Sequence, residues 1–127
     1  MLDKNMCILV VDDLTSMRGH VRSVLKSMGF HRIVEAANGV EALRTLNTDP
    51  VDFIISDWNM PLMSGLDLLK CVRGDDKHKD IPFLMLTGQS ERKEILLAVA
   101  AKVNNYLVKP FTSLALEQKI KAIFGCS

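Results

Sequence analysis

The chain has 127 residues, enough for one domain with a sizeable hydrophobic core. Apolar residues make up 48% of it and charged residues 24%, which is a soluble globular composition. The net charge is +1, and no block of lysines or arginines stands out. Long-range attraction to nucleic acid or to an anionic membrane is therefore not expected, and neither is predicted as a partner.

The cysteines and the N-terminus predict a reducing, cytoplasmic location. Cys7, Cys71 and Cys126 are widely spaced and odd in number, without a CxxC pair or a zinc pattern. The opening segment MLDKNM carries two charges, and the apolar run Met6–Val11 is too short for a signal peptide or a membrane span. We expect a cytoplasmic monomer.

Five apolar runs alternate with segments of helical spacing. In chain order, strands are predicted at Met6–Val11, Arg32–Ala36, Phe53–Ser56, Ile81–Leu86 and Tyr106–Val108. Helices are predicted after each of them, at 17–28, Gly39–Asn47, Gly65–Arg73, Glu91–Ala101 and 116–124. Apolar strands covered on both faces form parallel sheets, and right-handed crossovers then give a doubly wound α/β sandwich. We expect one domain over residues 1–127.

Polar side chains stand at the carboxyl ends of the predicted strands. The first strand ends in Asp12 and Asp13, the third in Asp57, the fourth in Thr87 and the fifth in Lys109. In a doubly wound sheet the binding crevice lies at this edge. Three carboxylates repel one another unless a cation offsets them, and Mg²⁺ prefers hard oxygen ligands. The sequence therefore predicts a Mg²⁺ site at this edge.

Thr87 and Lys109 indicate that the same edge binds a phosphoryl group. Lys109 would pair with one phosphoryl oxygen, and Thr87 would donate its hydroxyl to another. Asp57 is then the nucleophile that forms an aspartyl-phosphate. The alternative interpretation is structural: Asp12 or Asp13 could cap the first helix, and the pair Thr15-Ser16 offers further caps.

Several other residues have two interpretations. Trp58 is either a packing residue or a reporter of metal binding. Tyr106 is either a core residue or a hinged, half-exposed aromatic. Ile95 and Val99, one turn apart on the fourth helix, are either core residues or part of a docking face with Tyr106 and Lys119. The scattered histidines have no ligand spacing and are predicted to be surface residues: His20, His31 and His78.

Four motifs in order along the chain resemble the receiver domain of two-component signalling: LVVDD, SDWNMP-x-M-x-G, a Thr after the fourth strand, and VKPF. The motif SDWNMP and the length of a single domain most resemble those of the CheY-type chemotaxis response regulators. The resemblance implies a flavodoxin-like fold with strand order 2-1-3-4-5. It also implies a cis peptide between Lys109 and Pro110.

The resemblance further implies a ligand set and a phosphodonor. A histidine kinase would transfer the phosphoryl group from its phosphohistidine to Asp57. Mg²⁺ would be held by Asp13, Asp57 and the backbone carbonyl of Asn59, and Asp12 would act mainly through a metal-bound water. An aspartyl-phosphate hydrolase is less favoured, because the hydrolases with a strand-end nucleophile carry a second Asp where this chain has Asn59.

The resemblance also implies a switch without turnover of a separate substrate. Thr87 and Tyr106 would couple phosphorylation to a changed surface on the fourth helix, fifth strand and fifth helix, and Trp58, Ile95, Val99 and Lys119 are assigned to this output region. The expected partner is the flagellar motor switch, with an aspartyl-phosphate phosphatase as a further possible partner. The alternative is a phosphorelay carrier or a receiver with another target.

Three positions depart from the receiver pattern near that output surface. Gln89 stands where an acidic residue is familiar, and Lys102 adds a charge to a segment that is usually small and Gly-rich. Asn105 stands where Gly is more familiar, just before Tyr106. Because Asn tolerates positive φ better than most residues, we expect the turn to survive.

Overall fold

Strands and helices alternate along the part of the chain that the structure, a computed structural model, describes, which is residues 2–88 and 92–125. Gln89, Cys126 and the predicted helix start at Glu91 lie outside these residues. The elements are β1 (Cys7–Val11), α1 (Thr15–Ser27), β2 (Arg32–Ala36), α2 (Gly39–Thr48), β3 (Phe53–Asp57), α3 (Gly65–Gly74), β4 (Phe83–Thr87), α4 (Arg92–Ala100), β5 (Asn105–Val108) and α5 (Ser113–Ile123).

The five strands form one parallel sheet in the order β2-β1-β3-β4-β5. This confirms the predicted doubly wound fold and its strand order. The three central strands are buried along their whole length, as continuously apolar runs require. Alternate side chains of β1 lie on the two faces of the sheet. Ile8 and Val10 pack in a hydrophobic cluster with α1 and α5, whereas Leu9 and Val11 pack in one with α2 and α3. Within the described segments, no helix combines the length and hydropathy needed to cross a bilayer.

Strand β2 has its predicted bounds, the bounds of the other four strands differ from prediction by one or two residues, and two of the differences matter. Strand β4 begins at Phe83 because Pro82, just before it, has no N–H to donate to the ladder. Its carbonyl still accepts a hydrogen bond from the N–H of Ile54 at 3.0 Å. At the other end, Asp57 and Thr87 are the last residues of β3 and β4. The two side chains are therefore carried by paired strands and not by loops.

The predicted alternative of a side-chain cap on α1 is wrong. Leu14 occupies the N-cap position, and α1 has no side-chain cap hydrogen bond. Asp12 Oδ1 instead accepts a hydrogen bond from the N–H of Leu14 at 3.0 Å, two residues on. This local turn lets the chain leave β1 with Asp12 and Asp13 at the edge of the sheet. Side-chain caps are present on α2, α3 and α5, from Asn38, Ser64 and Thr112.

Two further expectations are corrected. Asn105 is not the left-handed residue of its segment: it lies in extended strand β5, and Lys102 takes the positive φ of 67°. His78 and His20 are half-buried, and only His31 is exposed as predicted. The His78 ring contacts the Asp75 carboxylate at 2.9 Å and the Leu46 carbonyl at 3.1 Å, a packing role that scattered spacing does not reveal.

Candidate active site

Three carboxylates meet at the carboxyl edge of the sheet. Asp12, Asp13 and Asp57 each offer an oxygen, and these oxygens all lie within 4.8 Å of one another. The neighbouring strands β1 and β3 bring them together, because both are parallel and end at the same level, with Val11 opposite Ser56. Asp12 and Asp57 are buried, while Asp13 is exposed. The cluster therefore opens to solvent on one side only.

Lys109 closes the buried side of this cluster. Its Nζ lies 3.0 Å from Asp57 Oδ1 and 3.2 Å from Asp12 Oδ2. The residue follows β5, and its backbone N–H donates to the carbonyl of Thr87 at 2.7 Å, which extends the pairing of β5 with β4. The Lys109–Pro110 peptide is cis, as the resemblance implies. One ammonium thus faces three carboxylates, and negative charge remains in excess.

The two partners of this ion pair respond to it differently. Burial raises the pKa of Asp57 above its usual value, and the Lys109 hydrogen bond lowers it only in part. For Lys109, burial alone would lower the pKa, but the hydrogen bond and charge of Asp57, together with Asp12, raise it. Lys109 interacts with two carboxylates, whereas Asp57 shares one ammonium with a second carboxylate. The site therefore favours additional positive charge.

This donor set fits a small divalent cation. Carboxylate oxygens are the hard ligands that Mg²⁺ prefers, and the uncompensated charge lies where such an ion would bind. Asp13 and Asp57 would hold the ion, with the neighbouring Asp12 within reach of its waters. The exposed Asn59 follows two residues after Asp57, so its predicted carbonyl ligand stays a prediction.

A close approach of Gly65 shapes the loop that follows β3. A Cβ at Gly65 would lie 2.1 Å from the carbonyl oxygen of Asp57, so no larger residue fits without a shift of the backbone. The N–H of Gly65 donates to the Trp58 carbonyl at 2.8 Å. The loop therefore folds back over the strand end and fixes the position from which Asp57 projects.

Thr87 lies on the other side of the site, at the wall of a small cavity. Its side chain is buried, and its Oγ1 donates a hydrogen bond to Glu94 Oε2 at 3.2 Å. The cavity has a volume of about 10 Å³, close to that of one water. It is lined by Trp58, Met85, Thr87, Glu94, Ile95, Ala98 and Tyr106. Four residues predicted for the switch therefore share one cavity: Trp58, Thr87, Ile95 and Tyr106.

The remaining two predicted output residues lie outside the cavity. Val99 is 58% exposed on α4 and is not a core residue. Lys119 on α5 places its Nζ 5.3 Å from the centre of the Tyr106 ring and donates to Asn105 Oδ1 at 3.3 Å. Trp58 is buried, which confirms its packing interpretation, while its use as a metal reporter stays a prediction.

Sequence reasoning missed Glu94 and the contact of Asn105. Glu94 stands in the first turn of α4, seven residues after Thr87, where an acidic side chain also suits the helix dipole. That placement was visible in the sequence, but its partner was not. In the sequence, Asn105 stands out only as a departure from Gly. In the structure, its amide oxygen accepts a hydrogen bond from Lys119.

Comparison with known proteins assigns this architecture to a family. The family model of the response regulator receiver domain matches residues 8–121. The chain is 46% identical over 123 residues to chemotaxis protein CheY-3 of Vibrio cholerae, covering 97% of this chain and 95% of that protein. It is 45% identical over 119 residues to chemotaxis protein CheY of Pseudomonas aeruginosa, covering 94% of this chain and 96% of that protein.

The fold agrees with solved structures of the same kind. The structure of the chemotaxis response regulator CheY4 of Vibrio cholerae superposes with a TM-score of 0.87 at 34% identity, covering 94% of this chain and 98% of that one. Receiver domains accept a phosphoryl group from a histidine kinase and act on a downstream target. The chain belongs to the response regulator receiver domain family and is similar to CheY-type chemotaxis proteins over nearly its whole length.

Proposed function

We propose that Asp57 is the phosphoryl acceptor and that the phosphorylated chain signals by binding the flagellar motor switch. The observation that carries the proposal is the convergence of Lys109 and three carboxylates on the end of central strand β3. An Asp57 oxygen attacks the phosphorus of a phosphohistidine, the phosphorus–nitrogen bond breaks, and its electron pair remains on the imidazole of the donor. Lys109, already within hydrogen-bond distance of Asp57, neutralises charge that develops on the phosphoryl oxygens.

Mg²⁺ is the proposed cofactor, held by Asp13, Asp57 and the carbonyl of Asn59. When bound, it would supply positive charge beside the transferring phosphoryl group. Burial on the side of Asp12 and Asp57 limits water there, so the electrostatic contacts act in a low dielectric. Thr87 would donate its hydroxyl to a phosphoryl oxygen.

The proposed role is that of a switch and not of a turnover enzyme. The side chain two residues after Asp57 is the amide of Asn59, which cannot serve as a general acid or base. Loss of the phosphoryl group would then be slow and self-catalysed, or assisted by a separate phosphatase. The exposed thiol of Cys71 suits the reducing cytoplasm in which we place this activity.

The motor switch is the proposed target because the two relatives described above are named as chemotaxis proteins. The surface formed by α4, β5 and α5 carries exposed apolar side chains on α4, among them Leu96 and Val99, and the Tyr106–Lys119 pair on β5 and α5. Contiguous exposed apolar residues are typical of protein docking sites. A phosphorelay carrier or a receiver with another target is the second candidate, since it shares all the chemistry of Asp57.

Intact-mass measurement tests the acceptor. Incubation with acetyl phosphate and Mg²⁺ should add one phosphoryl group to the wild-type chain and none to Asp57→Asn. Asp76→Asn, which removes the same charge from an exposed loop position, is the matched control and should label like wild type. Labelling of Asp57→Asn at the wild-type rate would assign the phosphoryl group to another residue.

A further inference from the structure

We propose that Glu94 is a positioning residue that competes with the phosphoryl group for the hydroxyl proton of Thr87. The inference deepens the proposed function and rests on phosphorylation at Asp57. Its basis is the hydrogen bond from Thr87 Oγ1 to Glu94 Oε2, at 3.2 Å, between the end of β4 and the first turn of α4. Glu94 thereby holds Thr87 in one orientation until a stronger acceptor is present.

The competition follows from the chemistry of a hydroxyl group. A threonine side chain has a single O–H to donate, so it can serve either the Glu94 carboxylate or a phosphoryl oxygen at any moment. Both acceptors are anionic, but the bond to Glu94, at 3.2 Å, is longer than a strong charge-assisted bond, so a phosphoryl oxygen at shorter distance is the stronger acceptor. When Thr87 turns to the phosphoryl group, the half-buried carboxylate of Glu94 loses this donor. That loss opposes activation and keeps the switch in its resting position.

The location of Glu94 extends the effect to the output surface. Glu94, Thr87 and Tyr106 all line the same cavity, whose volume is about that of one water. A turn of Thr87 toward Asp57 would vacate part of this cavity, and Tyr106 stands at its wall. Glu94 also belongs to α4, which carries the exposed Val99. Breaking the Thr87–Glu94 bond therefore removes one link between the end of β4 and the helix that forms part of the proposed docking surface.

The test compares the affinity for beryllofluoride, a phosphoryl analogue, in the presence of Mg²⁺. Glu94→Ala should bind it about five- to tenfold more tightly than wild type, because the competing charged acceptor is gone. Glu94→Gln, which keeps a neutral acceptor and the side-chain length, should show a smaller gain. Glu117→Ala removes the same charge from a half-exposed position on α5 and should leave the affinity unchanged.

A double-mutant cycle separates competition from a general effect of charge. In a Thr87→Val background, which lacks the hydroxyl but keeps the shape, Glu94→Ala should have no effect on beryllofluoride affinity. A gain that persists in that background would overturn the proposal, as would equal affinities of Glu94→Ala, Glu94→Gln and wild type. Failure of the wild-type chain to bind beryllofluoride at all would instead overturn the proposed function, and the competition with it.

A second readout uses the metal-free protein. In chelator, Glu94→Gln should shift the NMR signal of the Thr87 methyl group and lower the melting temperature slightly, since a charge-assisted hydrogen bond is lost. A purely structural role for Glu94 would lower the melting temperature without raising the affinity for beryllofluoride. Competition requires the two effects to have opposite signs, and an unchanged Thr87 methyl signal would contradict the contact itself.

Discussion

Asp57 experiences opposing electrostatic effects that its neighbours only partly balance. It is buried beside Asp12, and burial raises its pKa more than the contact with Lys109 lowers it. Its ionised form, which would be the nucleophile in the proposed phosphoryl transfer, therefore costs free energy in the metal-free protein. Sites of this kind trade stability for reactivity. A carboxylate whose charge is fully neutralised by its neighbours is a weaker nucleophile than one that is only partly neutralised.

We therefore predict that Asp57→Asn stabilises the metal-free protein in a pH-dependent way. At pH 7 in chelator the variant should have a higher free energy of unfolding than wild type. The raised pKa means that the folded wild-type protein binds a proton more tightly than the unfolded chain does. Wild type therefore recovers stability as the pH falls through that raised pKa, and the advantage of the variant should shrink toward pH 4.

Urea unfolding of both proteins between pH 7 and pH 4 measures this difference. Asp76→Asn serves as the control for removal of one exposed negative charge. A stabilisation of Asp57→Asn that stays constant over the whole range would show that ionisation of Asp57 is not its cause.

Asp13 provides a second test at the residue scale. Since α1 has no side-chain cap, removal of Asp13 removes repulsion within the cluster without removing a cap. Asp13→Ala should melt about 2 °C higher than wild type in chelator, the shift that roughly 0.5 kcal/mol gives in a domain of this size. Added Mg²⁺ should stabilise it less than it stabilises wild type. Thermal melts of both proteins with chelator and with Mg²⁺ measure these differences. A melting temperature of Asp13→Ala below that of wild type in chelator would contradict repulsion within the cluster.

At the scale of elements, Asn105 connects β5 to α5. Its Oδ1 accepts hydrogen bonds from the N–H of Tyr106 at 2.9 Å and from Lys119 Nζ at 3.3 Å. Lys119 is thereby held over the Tyr106 ring, at 5.3 Å from its centre. The cation contributes an attraction to the ring, and the strand and helix are linked through side chains. Asn105 therefore restrains the Tyr106 ring, which lines the cavity beside Thr87.

Asn105→Ala should loosen this restraint. Without the amide oxygen, Lys119 loses the hydrogen bond that holds it over the ring, and the Tyr106 ring should become more mobile. We expect narrower or shifted Tyr106 ring signals by NMR and a loss of about 1 kcal/mol in stability. Lys121→Ala is the control, because Lys121 is on the same helix and pairs with Glu117. Unchanged ring signals in Asn105→Ala would contradict the restraint.

At the scale of the whole molecule, phosphorylation and partner binding are predicted to be coupled. A peptide from a motor switch protein should bind the beryllofluoride form more tightly than the free form, by roughly 1–3 kcal/mol. The partner should favour phosphorylation by the same factor, because the coupling is reciprocal. Calorimetry with and without beryllofluoride measures it. Equal affinities would contradict a switch at the α4–β5–α5 surface, whereas no binding in either state would favour the phosphorelay alternative.

The order of apolar and polar residues along the chain is sufficient to predict the architecture and the composition of the acidic edge. Apolar runs of strand length, each followed by a segment of helical period, admit few arrangements once crossovers must be right-handed. The ends of parallel strands then have to meet, so Asp12, Asp13 and Asp57 could be placed together without any distances. Hydrophobic periodicity involves only residues that are near one another in the chain, so it can be recognised in the sequence without a structure.

The partner that each polar side chain contacts depends on the packing of the folded chain and is not predictable from the order of residues. Lys109 joins Asp12 across 97 positions of the chain, and Lys119 joins Asn105 across 14. Thr87 and Glu94 are near in sequence, yet their bond depends on where α4 begins relative to β4. A hydrogen bond requires its heavy atoms to lie within about 3 Å of each other, so a shift of roughly 1 Å in a helix or one rotamer step makes or breaks it. Such positions result from the packing of all the elements together, and no local pattern of residues contains them.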